Sequence, residues 1–266
     1  MDRRYFLKQA GAAGLLAGIA TLSPSIVLAR GSKGISYGSG SLDIYPAAND
    51  NAPVVAYVHG GAWRAGSKGS VGSMPGYFNA LGYTFVSVGY SLGSNPGQQA
   101  RHVGQALNWL RSNIGQFGGN PGRIAVMGHS AGCHLACLAV LSGAASGIKA
   151  IVANDTAAYD VPYLAEINGG RLPLLYAAFS DKSQWRNWSP ISYASGGGGI
   201  PVLVAWSGGT NRDRISRRFA DALAAGGHPV TRFDGRRYNH ISIRNAMGRK
   251  GDALTVAITN FLATHL

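Results

Sequence analysis

An α/β fold with a mostly parallel central sheet and helices on both faces is predicted by three features of the 266-residue chain. Short runs of β-branched and apolar residues alternate with longer stretches whose apolar positions recur every three or four residues, the order expected of a sheet wound with helices. A hydrophobic content of 46% supplies one large core, and the length calls for no second full domain. The segment Gly128-His129-Ser130-Ala131-Gly132 joins a strand-like run to a helix-like run through a turn that only small residues can make.

Each element follows in order. The lead-in at 31–40 reads as loop, and 42–46 alternates like an edge strand that ends at Pro46. Residues 53–58 form a short buried-strand pattern, 73–81 a short helix and 83–88 a further strand. Pro96 starts a helix that runs to about Asn113, with Val103, Leu107, Leu110 and Ile114 on one buried stripe. Gly118-Gly119-Asn120-Pro121-Gly122 turns the chain into a strand over 123–127, and the run 133–141 after the serine reads as a helix. Strands follow at 148–153 and 200–206, then a helix at 213–225, a strand at 230–233 and a helix at 253–265. Between 155 and 199 lies an irregular segment with seven large rings, among them Tyr159, Tyr176, Phe179 and Trp188. Long connections of this kind usually serve function, so it is expected to form a small aromatic cap over the site.

Residues 1–29 stand apart from the fold, which is expected to occupy 30–266. Arg3-Arg4 precedes a soft Ala- and Gly-rich apolar stretch and then Val27-Leu28-Ala29, the pattern of a twin-arginine export signal. The expectation is an exported, periplasmic or secreted protein with no stable membrane insertion once the signal is removed. The chain carries 24 Lys and Arg against 11 Asp and Glu, a net charge of +13 that would attract anionic partners. No nucleic-acid partner is expected, because no binding module is present and the aromatics are not interleaved with the bases. Cys133 and Cys137, one helical turn apart, read as two buried thiols. A zinc site built from them with His129 and His134 is disfavoured, since that segment must also form the turn at Ser130 and pack on the sheet.

A serine with glycines two residues to either side, on a strand-to-helix turn, has the form of a nucleophile elbow. The turn leaves no room for a side chain at Gly128 or Gly132 and holds the hydroxyl clear of the backbone at the positive end of a helix. Upstream, His59-Gly60-Gly61-Ala62-Trp63 follows the strand at 53–58, where a glycine-rich loop can bring backbone N–H groups close to a substrate. The oxyanion donors are placed at Gly61, Ala62 and Ala131. A base and an acid should follow the serine on loops after later strands, in the order acid then histidine. His240 meets this requirement; His228 precedes a strand and His265 lies at the chain end. For the acid, Asp213 follows the strand ending at Trp206 and opens a helix, and Asp155 is the runner-up.

These residues resemble the α/β-hydrolases of the carboxylesterase and lipase type that carry an H-G-G-x-W oxyanion motif, a group including kynurenine-formamidase-like and feruloyl-esterase-like proteins. The resemblance rests on 42–46, His59 to Trp63, 117–123, 128–136, Ser189-Pro190-Ile191 and 213–240. It implies an α/β-hydrolase fold and a serine esterase that cleaves carboxylic esters through an acyl-enzyme, with Ser130, His240 and Asp213 as catalytic residues. No metal or organic cofactor is implied, and the partner is a small-molecule ester of aromatic or anionic character. Two alternatives stand beside it: an arylformamidase acting on N-formylated aromatic substrates, and a catalytically silent binding protein on the same fold.

Overall fold

The computed structural model describes residues 31–196 and 199–266; the expected export signal at 1–29 lies outside the described residues. Eight strands form one sheet: β1 (Ser32–Ser36), β2 (Ser41–Tyr45), β3 (Ala52–Val58), β4 (Thr84–Val88), β5 (Gly119–His129), β6 (Ala150–Asn154), β7 (Val202–Ser207) and β8 (Val230–Gly235). Their spatial order is β1-β2-β4-β3-β5-β6-β7-β8. The first two pairings are antiparallel and all the others parallel. Seven α-helices among the described residues accompany them, five between strands and two after β8: α1 (Met74–Ala80), α2 (Pro96–Asn113), α3 (Ala131–Leu141), α4 (Val161–Glu166), α5 (Thr210–Ala225), α6 (His240–Ala246) and α7 (Ala253–His265).

Side chains alternate across a strand, so each buried strand feeds two cores. Val54, Ala56 and Val58 of β3 pack with α2, α3 and α5, whereas Val55 and Tyr57 face the opposite layer with α1, α6 and α7. The same two-sided burial explains why the central strands are continuous apolar runs. Helix α3 is buried on nearly every side, from Ala131 through Leu141, which matches its lack of a polar face.

The chain winds from β3 to β4 on one side and returns to β5 on the other, so β3 and β5 are neighbours with diverging connections. Open α/β sheets bind ligands at such a switch point, beyond the carboxyl ends of the strands. The loop after β3 carries His59 to Trp63, and the turn after β5 carries Ser130.

Three expectations change. The loop-like lead-in contains β1, which pairs with β2 and takes over the sheet edge; its residues are mostly exposed and polar, so no burial pattern marks it. His240 is the first residue of a helix, α6, rather than a loop residue. Helix α5 begins at Thr210, three residues before Asp213, so Asp213 sits within its first turn.

Candidate active site

The turn at Ser130 is as tight as its glycines require. A Cβ at Gly132 would lie 2.1 Å from the Val58 carbonyl oxygen, and one at Gly128 would lie 2.4 Å from the Gly132 carbonyl oxygen. Neither position has room for a side chain. Ser130 itself adopts φ 57° and ψ −124°, outside the regions L residues favour, and its amide donates to the Asn154 carbonyl at 3.1 Å. The hydroxyl is thereby presented at the N-terminus of α3.

The imidazole of His240 meets that hydroxyl. Its Nε2 lies 3.0 Å from Ser130 Oγ, and its Nδ1 lies 2.6 Å from Oδ2 of Asp155. A carboxylate can only accept, so Nδ1 carries the proton and Nε2 is free to accept the serine proton. Asparagine at 239 caps α6 with its side chain and shares a capping box with Ser242, which sets His240 at the head of the helix.

Asp155, and not Asp213, is the carboxylate at the imidazole. The two expected members Ser130 and His240 come together, while Asp213 turns outward and accepts from Arg217 Nε at 2.6 Å, with 45% of its side chain exposed. Four residues further on in a helix is the nearest cationic neighbour, and Arg217 occupies that position. Asp155 instead follows β6 directly. Because His129 pairs with Asn154, and Asn154 with Ala205, the residues after β5, β6 and β7 meet at one edge of the sheet. Ser207 at the end of β7 donates its amide to Asp155 Oδ1 and its hydroxyl to Oδ2, both at 2.8 Å. Arg212 lies 3.7 Å from the carboxylate and donates to the Asp155 carbonyl at 3.3 Å. Complete burial works to raise the pKa of this carboxyl, but the imidazole bond, Arg212 and both Ser207 donors outweigh it, and the pKa lies below the ordinary carboxylate value. Asp155 also holds φ 59°, a left-handed conformation that aspartate enters more readily than most residues.

Gly61, Ala62 and Ala131 are the oxyanion donors expected from the sequence. Gly61 and Ala62 line a cleft of about 520 Å³ together with Ser130 and His240. Among the described residues, the backbone N–H groups of Gly61, Ala62 and Ala131 have no protein acceptor, whereas the Gly61 carbonyl receives the amides of Arg64 and Ala65. The loop is held in positive-φ conformations at Gly61, Ala62 and Trp63 (136°, 51° and 62°). Its anchors are side chains: Tyr90 stacks on His59 at 4.4 Å, Trp63 donates its indole N–H to His134 Nδ1 at 3.1 Å, and Gln99 donates to the Trp63 carbonyl at 2.7 Å.

His129, weighed above only for the disfavoured zinc site, lies beside His240. Its ring lies 4.6 Å from that of His240, and its Nε2–H donates to the His240 carbonyl at 3.0 Å. Burial, and then the facing charge of His240, push its pKa down to about 3, so it is neutral at ordinary pH. Of the rings in 155–199, Tyr159 stacks on Phe219 in the core, and Phe179 and Trp188 pack around His134 and Trp63. Tyr176 and Leu175 reach the cleft. Cys133 and Cys137 are buried free thiols, and Cys133 Sγ lies 3.1 Å from the Tyr159 hydroxyl. His129, Asp155 and His240 bring three ligand-type atoms within 4.8 Å of one another, but each is engaged: a carbonyl holds His129, and His240 and Asp155 hold each other. The four residues weighed for zinc do not converge, since His134 is spent between Trp63 and the Trp188 carbonyl.

Residues 42–163 match the BD-FAE family. The chain is 38% identical over 119 residues to the esterase LipQ of Mycobacterium tuberculosis, a match covering 41% of this chain and 28% of that protein. It is 32% identical over 152 residues to the isoprenylcysteine alpha-carbonyl methylesterase ICME of Arabidopsis thaliana, covering 55% of this chain and 35% of that one. The chain thus spans about a third or less of the length of these relatives. Among solved structures it resembles esterase B from Lactobacillus rhamnosis, with a TM-score of 0.71 at 15% identity, over 88% of this chain and 85% of the other. With the strand order, the tight turn at Ser130 and these likenesses together, the chain has the α/β-hydrolase fold.

Proposed function

We propose that the protein is a serine esterase that cleaves carboxylic esters of small molecules by two-step acyl transfer. The observation that carries this reading is the hydrogen-bonded line from Ser130 Oγ through His240 to the buried Asp155 carboxylate, opening on a cleft. His240 Nε2 takes the hydroxyl proton as Oγ attacks the ester carbonyl carbon. The oxyanion then accepts from the amides of Gly61, Ala62 and Ala131, each of which is worth about 2.7 to 4 kcal/mol in the transition state. The imidazolium returns its proton to the departing alcohol, leaving an acyl group on Ser130. Water, deprotonated by the same ring, releases the acid. Asp155 keeps the ring in the tautomer that accepts at Nε2 and stabilises its positive charge.

The named esterase relatives support ester hydrolysis; nothing in the site favours a formamide or a silent scaffold over it. The test is covalent. Incubation with an alkyl fluorophosphonate should add one phosphonyl group to Ser130, seen by intact mass and peptide mapping, and Ser130→Ala should neither label nor turn over a short-chain aryl ester. Turnover by the alanine variant at the parent rate would end this reading.

A further inference from the structure

Among the described residues, the charged side chains lining the cleft, apart from the histidines, are two arginines, Arg212 and Arg244, and no carboxylate lines it. They are not equivalent. Arg212 lies 3.7 Å from Asp155, so its charge is offset by the buried carboxylate of the triad. Arg244 has no acidic partner within 4.0 Å among the described residues; Nη2 donates to the Ser70 carbonyl at 2.7 Å and Nη1 to the neutral Asn245 side chain at 3.1 Å. One net positive charge therefore faces the site.

Its placement is set by helix geometry. Arg244 lies four residues after His240 on α6, so the two side chains share one face, about 5 to 6 Å apart at their Cβ atoms. Guanidinium has five donors in a planar fork that matches a carboxylate, and the bonds to Ser70 and Asn245 leave donors unspent. Those same two bonds hold the group in position, which lowers the ordering cost of binding an anion there. A substrate whose scissile carbonyl sits at Ser130 brings any group a few atoms away within reach of this fork.

Resting on the esterase reading above, we propose that the cleft selects esters bearing a free carboxylate, which Arg244 binds while the ester bond lies at Ser130. The anion is recognised as the substrate's own group and takes no part in bond breaking.

Two matched pairs of esters test this. In one, 3-acetoxybenzoate is compared with 3-acetoxybenzamide, placing the charge on the alcohol side; in the other, phenyl hemisuccinate is compared with phenyl succinamate, placing it on the acyl side. The carboxylate member of at least one pair should be preferred tenfold or more in kcat/KM at low salt, chiefly through KM, and the preference should shrink as ionic strength rises. Arg244→Gln should remove the preference and Arg244→Lys keep part of it. Arg101→Gln, an exposed change on α2, should leave it as it was. Turnover of the neutral esters with no preference in either pair, or a preference that survives Arg244→Gln, overturns the proposal. Failure to cleave all four esters would overturn the acyl-transfer reading itself, and this proposal with it.

Discussion

Ser130 sits at φ 57° and ψ −124°, a backbone state that costs an L residue on the order of 1 to 3 kcal/mol. Glycine has no Cβ to clash there, so Ser130→Gly should raise the urea midpoint above that of Ser130→Ala, by about 1 kcal/mol of stability, while both lack activity. Equal midpoints would show that the elbow stores no strain. Strain of this kind is readable in sequence, because Gly128 and Gly132 announce a turn with no space for side chains, and the structure puts carbonyl oxygens where their Cβ atoms would fall. Ser130 and His240 were legible for that reason and for their order. The acid was not. Asp213 and Asp155 both follow apolar strands, and only the register of β5, β6 and β7 reveals that the residue after Asn154 lies at the Ser130 end of the sheet, where it meets His240, while Asp213 is carried into a helix and paired with Arg217.

At the scale of elements, α6 does two jobs: it delivers His240 from its first position and Arg244 from one turn later. The His129 ring secures the start of that helix by donating to the His240 carbonyl and lying against the imidazole. His129→Phe keeps a flat ring and removes the donor. It should lower kcat by about tenfold with little change in KM, because the loss is in orientation of the base rather than in substrate contact; an unchanged kcat would show that the capping box at Asn239 positions the helix unaided. Helix α6 escaped sequence reading because it is seven residues long and buries only Ile243 and Ala246, too few for a periodic pattern. Strand β1 escaped for the converse reason, being an exposed edge held by main-chain bonds. Longer elements with full stripes, α2 and α7 above all, were visible to within a residue or two.

Across the whole molecule, burial of neutral histidines ties stability to pH. Burial pushes His134 down to about 4 from an ordinary 6.5, offset in part by its bond to the Trp188 carbonyl, and His129 lies lower still. Both rings bind protons less readily folded than unfolded. The unfolded chain is therefore protonated first as pH falls, so stability is full above 6.5 and declines toward 4, His134 alone accounting for about 3 kcal/mol. Asp155, with its pKa below the ordinary 3.8, adds a further loss as pH falls below that value. Urea midpoints taken from pH 7.5 to 4 should fall steadily, and His134→Gln, which keeps an acceptor and a donor, should flatten the slope. A wild-type midpoint independent of pH over that range would contradict this. The eight-stranded order was legible only as alternation; which loops share an edge depends on crossovers between distant segments, and that is the information on which the site turns. The most direct measurement is therefore a pair of variants assayed for kcat on one aryl ester. Asp155→Asn should fall about a thousandfold or more, as loss of the orienting carboxylate does in serine triads, and Asp213→Asn should stay within a few fold of the parent. The reverse ranking would contradict the arrangement of Ser130, His240 and Asp155 on which the account is built.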